Sequence, residues 1–163
     1  MARPLLIFDL DETLVHATTA NLEWPADFLF AGYRVHKRPF LSTLLQRVEP
    51  LYDLAVWSSG SPLYVERIAS EVFGTFPLKF AWNAERCIQR VDLRTQGYVY
   101  IKDLRKVRSQ GYDVERITIV DDSPEKICRQ PRNHVLVKAF LGDPTDRELL
   151  AIADLLVARA SRE

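Results

Sequence analysis

The sequence predicts an α/β fold: a mostly parallel, Rossmann-like central sheet flanked by helices. Three observations predict it. Short apolar runs recur, and each of the first three ends in acidic or hydroxyl residues. Segments with helical spacing separate them. One stretch rich in aromatic and β-branched residues breaks the alternation around a glycine turn. Strand–helix alternation of this kind builds parallel sheets covered by helices.

The first run, "PLLIFDL" from Pro4, reads as a buried strand that delivers Asp9 and Asp11 at its end. An irregular segment follows, "NLEWPADFLFAGYRV", containing Trp24, Phe28, Phe30 and Tyr33. Leu41, Leu44, Leu45 and Val48 then fall on one helical face after Pro39 in a helix-starting position. "YDLAVWSS" is the second strand and ends in Ser58 and Ser59. A second helix carries Val65, Ile68, Ala69 and Val72, starting after Ser61-Pro62 and stopping at Gly74. Residues 78–101 read as a small antiparallel β insertion turning at Gly97. A shorter helix is expected over 103–109, ending near Gly111. "RITIVDDS" is the third strand and presents Asp121 and Asp122. "HVLVKAF" is the fourth. The last helix holds Leu149, Ile152, Ala153 and Leu156, with Asp143-Pro144 expected as its N-cap and first turn.

At 163 residues the chain is long enough for one domain, 1–163, with a real core, and 47% apolar residues argues against disorder. The formal net charge is zero, so no stable nucleic-acid binding is expected. Cys87 and Cys128 lack metal or disulfide spacing and read as free thiols, which favours an intracellular setting. No apolar run is long enough to span a membrane. The first strand begins at about residue 4, leaving no room for a targeting peptide. A soluble monomer is expected.

In parallel sheets, ligands bind beyond the carboxyl ends of the strands. Asp9 with Asp11, Ser58 with Ser59, and Asp121 with Asp122 would all fall on that edge. Carboxylates gathered so closely repel one another, and one pKa must rise unless a cation intervenes. Such oxygen-rich clusters suit Mg²⁺. Lys102 adds a fixed positive charge, and Ser58 adds a hydroxyl with neighbouring backbone N–H groups; Ser59 is a further phosphate-binding candidate. These parts meet the needs of phosphoryl transfer: a nucleophile, an acid for the leaving group, and cations on the phosphoryl oxygens. Asp9 is the candidate nucleophile, giving an aspartyl-phosphate. Asp11 is the candidate acid and then base, which requires surroundings that raise its pKa. Glu12 is expected to point away from the chemistry. His16, His36 and His134 match no catalytic spacing, and Arg86, Arg90 and Arg94 read as a solvated hairpin face.

"FDLDETLVH" resembles the DxDxT motif of the haloacid dehalogenase (HAD) superfamily. More closely it resembles the NLI-interacting-factor-like branch, which includes the small phosphatases of the RNA polymerase II C-terminal domain. "KRPF", "WSSGS", "YVYIKDL" and "IVDDSPE" continue the resemblance in order along nearly the whole chain. It implies a HAD core whose Asp9 is nucleophile and metal ligand. Asp11 would be general acid/base with its backbone carbonyl on the metal. Thr13 would order the loop, Ser58 would bind a phosphoryl oxygen, and Lys102 would hold the phosphate and Asp9. Asp121 and Asp122 would complete the Mg²⁺ site.

Two positions depart from the family pattern. Serine replaces the usual threonine at Ser58, and Asp122 stands where the small C-terminal-domain phosphatases have asparagine. The extra carboxylate should tighten the metal and add repulsion toward phosphate. Neither gap between motifs leaves room for a full cap domain, so the site is expected to be open to a phosphorylated protein or peptide. By analogy with the family's peptide groove, Trp24, Phe28, Phe30 and Tyr33 would form an apolar docking surface; the alternative is that they are hairpin core. The rival functions are a phosphatase of small phosphate esters or nucleic-acid ends, and a non-catalytic binding module. A receiver domain is disfavoured because the middle strand ends in Ser58 rather than an aspartate.

Overall fold

A computed structural model describes residues 2–162. Five strands form a fully parallel sheet: β1 (Leu5–Phe8), β5 (Asp53–Trp57), β6 (Ala81–Trp82), β9 (Ile117–Asp121) and β10 (His134–Leu136), in the order β10-β9-β1-β5-β6. β1 is central. β5, the next strand of this sheet along the chain, lies on one side and the later β9 on the other, so the direction of strand addition reverses beside β1. Such a reversal opens a crevice at the carboxyl edge.

The four residues of β1 are fully buried, as a central parallel strand requires. Their side chains alternate between two cores. Leu6 and Phe8 face the α-helices: α1 (Leu41–Val48), α2 (Pro62–Phe73) and α3 (Glu148–Ala160). Leu41, Leu44, Leu45 and Val48 of α1 pack in that layer beside Leu149, Ile152 and Leu156 of α3. Leu5 and Ile7 face the other side, with Trp57, Trp82, Leu104, Val107 and Ile127. Among the described residues, no α-helix contributes to this second layer. Short 3₁₀ turns at Leu104–Gln110, Val114–Arg116 and Pro124–Ile127 cover it together with the edge-to-face Trp57–Trp82 pair, whose ring centroids are 4.9 Å apart.

Several expectations need correction. The early aromatic segment is irregular only in its first half, 21–27: β3 (Phe28–Phe30) and β4 (Tyr33–Lys37) form a tight hairpin, and β2 (Val15–Thr18) pairs with β4 to complete a three-stranded antiparallel sheet. The turn places Ala31 at φ 47° and Gly32 at φ 84°, positive values that the Gly tolerates at no steric cost. The stretch 78–101 divides in two. Ala81–Trp82 joins the main sheet as parallel β6, and only β7 (Ile88–Val91) with β8 (Tyr98–Ile101) is antiparallel. The expected helix over 103–109 is 3₁₀, and the fourth strand stops at Leu136.

The last helix begins at Glu148, not at Asp143-Pro144. Asp143 instead closes a local turn, accepting hydrogen bonds from the backbone N–H and hydroxyl of Thr145 at 2.8 and 2.7 Å. Asp146 then does two jobs. It accepts from Glu148 N–H at the helix start and takes both ends of the buried Arg38 guanidinium at 2.9 and 3.0 Å. A buried arginine needs a carboxylate partner, and that demand fixes where the helix starts.

Candidate active site

Asp9 is the first residue past β1, and its N–H donates to Val120 O on β9 at 3.0 Å. Asp121 ends β9, so sheet register alone sets the two carboxylates side by side. Lys102, immediately after β8, enters between them. Its ammonium donates to Asp9 Oδ1 at 3.0 Å and to Asp121 Oδ2 at 2.6 Å, and its side chain is fully buried. Thr13 Oγ1 donates to the other Asp9 oxygen at 3.1 Å and lies 3.4 Å from Asp122 Oδ1. Each oxygen of Asp9 therefore has its own donor, which fixes the plane of the carboxylate. Ser123 N–H donates to Asp121 Oδ1 at 2.9 Å.

Carboxylate oxygens of Asp9, Asp121 and Asp122 come within 4.8 Å of one another. Three hard anionic donors at that spacing fit a small divalent cation such as Mg²⁺. Burial, followed by the charges of Asp9 and Asp121, pushes the Asp122 carboxyl up to about 7. Burial also raises Asp9, but Lys102 and Lys126 outweigh it and hold Asp9 below the ordinary carboxylate range. Like charges this close resist joint ionisation unless a cation joins them.

The loop from Leu10 to Leu14 is a tight turn. Leu10 O accepts from Thr13, Leu14 and Val15 N–H, and Glu12 takes φ 60°. This turn sends Asp11 away from the acid cluster. Its carboxylate instead accepts a hydrogen bond from the Tyr64 hydroxyl of α2. Burial pushes the Asp11 carboxyl up to about 6, with the Tyr64 hydrogen bond opposing. The two nearby acids are thus driven apart in pKa, the pattern that separates a nucleophile from an acid. Gly60 is needed here: a Cβ on it would lie 2.9 Å from the Tyr64 ring and 3.2 Å from Ser58 Oγ. Glu12 turns outward and pairs with His16 at 2.8 Å.

Asp11 and Tyr64 line an open cleft of about 420 Å³ together with Phe30, Tyr33, Gly60 and Ser61. Of the four early aromatics, Phe30 and Tyr33 reach this cleft. Trp24 lies elsewhere, donating its indole N–H to Gly142 O, and Phe28 packs against the helical core beneath Arg67. Ser58 is fully buried at the end of β5, where its Oγ accepts from Gly60 N–H at 2.9 Å. Ser59 Oγ accepts from the Lys126 ammonium at 3.0 Å. His134 Nε2 lies 2.8 Å from the backbone oxygen of Asp121, behind the acids.

Three contributors were not singled out by sequence pattern. Tyr64 sits among helix residues and carries no local signal. Arg38, which the sequence offers only as part of the KRPF motif, donates to Thr13 O at 3.0 Å and so braces the Leu10–Leu14 turn from beneath. Lys126 resembles any surface lysine in a turn. The signal that could have found it is its position four residues after an acidic pair.

No helix among the described residues is long and apolar enough to cross a membrane. Among solved structures, the chain is similar to Fcp1, an essential RNA polymerase II CTD phosphatase, with a TM-score of 0.63 and 19% identity over 97% of this chain and 51% of that one. That likeness establishes the fold. By sequence it is 31% identical to CTD nuclear envelope phosphatase 1 homolog of Drosophila melanogaster, over 96% of this chain and 67% of that protein. It is 28% identical to CTD small phosphatase-like protein 2 of Dictyostelium discoideum, over 93% of this chain but 26% of that protein. The chain thus spans from 26% to 67% of the length of these relatives. The family model that matches it extends over residues 4–163, through every motif and strand of the site just described, and the chain belongs to the NLI interacting factor-like phosphatase family.

Proposed function

We propose that this chain is a Mg²⁺-dependent phosphatase that forms an aspartyl-phosphate, an acyl phosphate, on Asp9 and acts on phosphoserine or phosphothreonine in a protein or peptide. The observation that carries this reading is the buried Lys102 clasped between Asp9 and Asp121, with Asp122 completing the acid cluster at the carboxyl edge of the sheet.

The chain's own groups divide the work. Asp9, held ionised below its ordinary pKa, attacks phosphorus in line with the leaving oxygen. The bond from phosphorus to that oxygen breaks, and Asp11 donates a proton to it. A carboxyl pushed up to about 6 retains protons near neutral pH and can do this. Asp11 then removes a proton from water as the water attacks the phosphorylated Asp9. Phosphate departs and both carboxylates return to their starting states. Lys102 and Thr13 hold Asp9 oriented throughout. Ser58 and Ser59 stand at the neighbouring strand end as phosphate-binding groups. Asp9, Asp121 and Asp122 would hold the Mg²⁺, with the Asp11 backbone carbonyl as a further ligand. When bound, that ion supplies positive charge to the phosphoryl oxygens and offsets their repulsion from Asp9.

The names of the relatives support a protein substrate, and the open cleft with Phe30 and Tyr33 beside Asp11 supports a docked side chain or peptide rather than an enclosed metabolite. The test is hydrolysis of phosphoserine and phosphothreonine peptides, sugar phosphates and 3′- or 5′-phosphorylated oligonucleotides with Mg²⁺. Phosphopeptides should be preferred, and EDTA or Asp9→Asn should abolish turnover. Full activity in the Asp9→Asn variant would overturn the mechanism, and a preference for sugar phosphates would overturn the substrate class.

A further inference from the structure

Lys126 sits in the 3₁₀ turn Pro124–Ile127, which directly follows the acidic pair. The turn is pinned. Ile127 is fully buried, Lys126 N–H donates to Ser123 O at 3.1 Å, and Lys126 O accepts from Lys102 N–H at 2.8 Å. The backbones of the two lysines are therefore locked together, but their side chains are placed differently. Lys102 is fully buried and committed to two carboxylates. Lys126 is half-buried, and the acceptor for its ammonium is the neutral hydroxyl of Ser59, 3.0 Å away.

The charge balance shows what a second ammonium does here. Asp9 and Asp121 flank one buried ammonium, with Asp122 beside them. A divalent cation and Lys102 together offset these three carboxylates. A phosphate dianion that approaches Asp9 then finds no positive charge left over. Burial pushes both Asp9 and Asp11 up, and Lys126 is among the groups that oppose this at each of them, so its field reaches both acids. Its hydrogen-bond partner, Ser59, stands at the strand end beside Ser58. An ammonium exchanges a neutral acceptor for an anionic one at a gain, because opposite charges add a direct attraction to the hydrogen bond.

We propose that Lys126 is a second phosphate-contacting residue, its ammonium turning from Ser59 Oγ to a non-bridging oxygen of the substrate's phosphoryl group. It compensates for the additional carboxylate of Asp122 and sets the affinity for the phosphate itself, whatever the rest of the substrate is. This rests on the phosphatase reading above, but part of the test needs no turnover.

The experiment uses the full chain with Mg²⁺ and compares wild type, Lys126→Met, Lys126→Gln and Lys126→Arg. Inorganic phosphate binding is measured by calorimetry. KM and kcat are measured for an aryl phosphate and a phosphoserine peptide, and melting temperatures check folding. Loss of the ammonium should weaken phosphate binding about tenfold and raise KM for both substrates by a similar factor, and Arg should recover most of the loss. Unchanged phosphate affinity in a folded Met or Gln variant overturns the proposal. So does an effect confined to the peptide, which would make Lys126 a reader of flanking sequence. If wild type binds phosphate through Lys126 yet hydrolyses neither ester, the phosphatase reading fails and the phosphate contact stands. If wild type does not bind phosphate at all, the contact is overturned.

Discussion

Lys102 Nζ lies 2.6 Å from Asp121 Oδ2, with neither side chain exposed to solvent. Burial disfavours the charge on Lys102, yet Asp9 and Asp121 together hold its pKa above the ordinary lysine value. The pair is a structural member as well as part of the proposed site. Lys102→Met leaves two buried carboxylates without their cation. Removing one partner of a buried pair costs about 3–5 kcal/mol. Urea denaturation in EDTA should show a loss of that size, and added Mg²⁺ should restore part of it by occupying the same acids. An unchanged midpoint in EDTA would show that the acids simply take up protons.

In the proposed mechanism Asp11 protonates the leaving oxygen, so its importance should scale with how poor the leaving group is. Asp11→Asn should reduce turnover of a phosphoserine peptide at least about a hundredfold, and of a nitrophenyl phosphate far less, because nitrophenolate departs without a proton. Equal losses on both substrates would remove Asp11 from the acid role. Tyr64→Phe should shift the two rates in the same sense by a smaller factor.

Arg38 ties three segments together: its own strand end, the Thr13 carbonyl of the Leu10–Leu14 turn, and Asp146 before α3. Its planar fork cannot be replaced by a lysine point charge. Arg38→Lys should cost about 2–4 kcal/mol in chemical denaturation. It should also lower kcat, because Thr13 loses its brace. Normal kcat in a destabilised variant would confine Arg38 to folding.

Asp103 offers a test through pH. Hydrogen bonds from Arg105 come first among the causes that hold its carboxyl well below the usual range; burial opposes them, and Arg129 and Gln130 add to them. A carboxyl depressed in the folded state contributes stability above its unfolded pKa of about 3.9 and loses that contribution as pH falls through the folded value. The stability gap between wild type and Asp103→Asn should therefore be widest near pH 6 and close progressively below about pH 4. A gap independent of pH would mean that the asparagine is penalised by packing alone. Because Asp103 adjoins Lys102, the variant should also lower activity at neutral pH.

Much of the site was legible because it is built on strand ends. A run such as Leu5–Phe8 declares a buried strand, and whatever follows it must emerge at the carboxyl edge. Asp9, Ser58 and Asp121 could be placed together from that rule. The early aromatics were less legible. Phe28 and Phe30 lie on one face of the same short strand and both pack against the helical core, yet only Phe30 also lines the cleft. Composition cannot make that distinction.

The four strands β1, β5, β9 and β10 and the motifs at their ends were determined by sequence, since apolar periodicity and local chain direction are local properties. The helix layer on one face and 3₁₀ turns on the other, the late start of α3, and the roles of Tyr64, Arg38 and Lys126 were decided only in three dimensions. Each depends on a partner far along the chain: Tyr64 on Asp11, Arg38 on Asp146, Lys126 on Ser59. Hydrogen bonds and ion pairs at such separations leave no periodic trace. They exist because the folded core excludes water and leaves each buried polar group to find its partner within the protein.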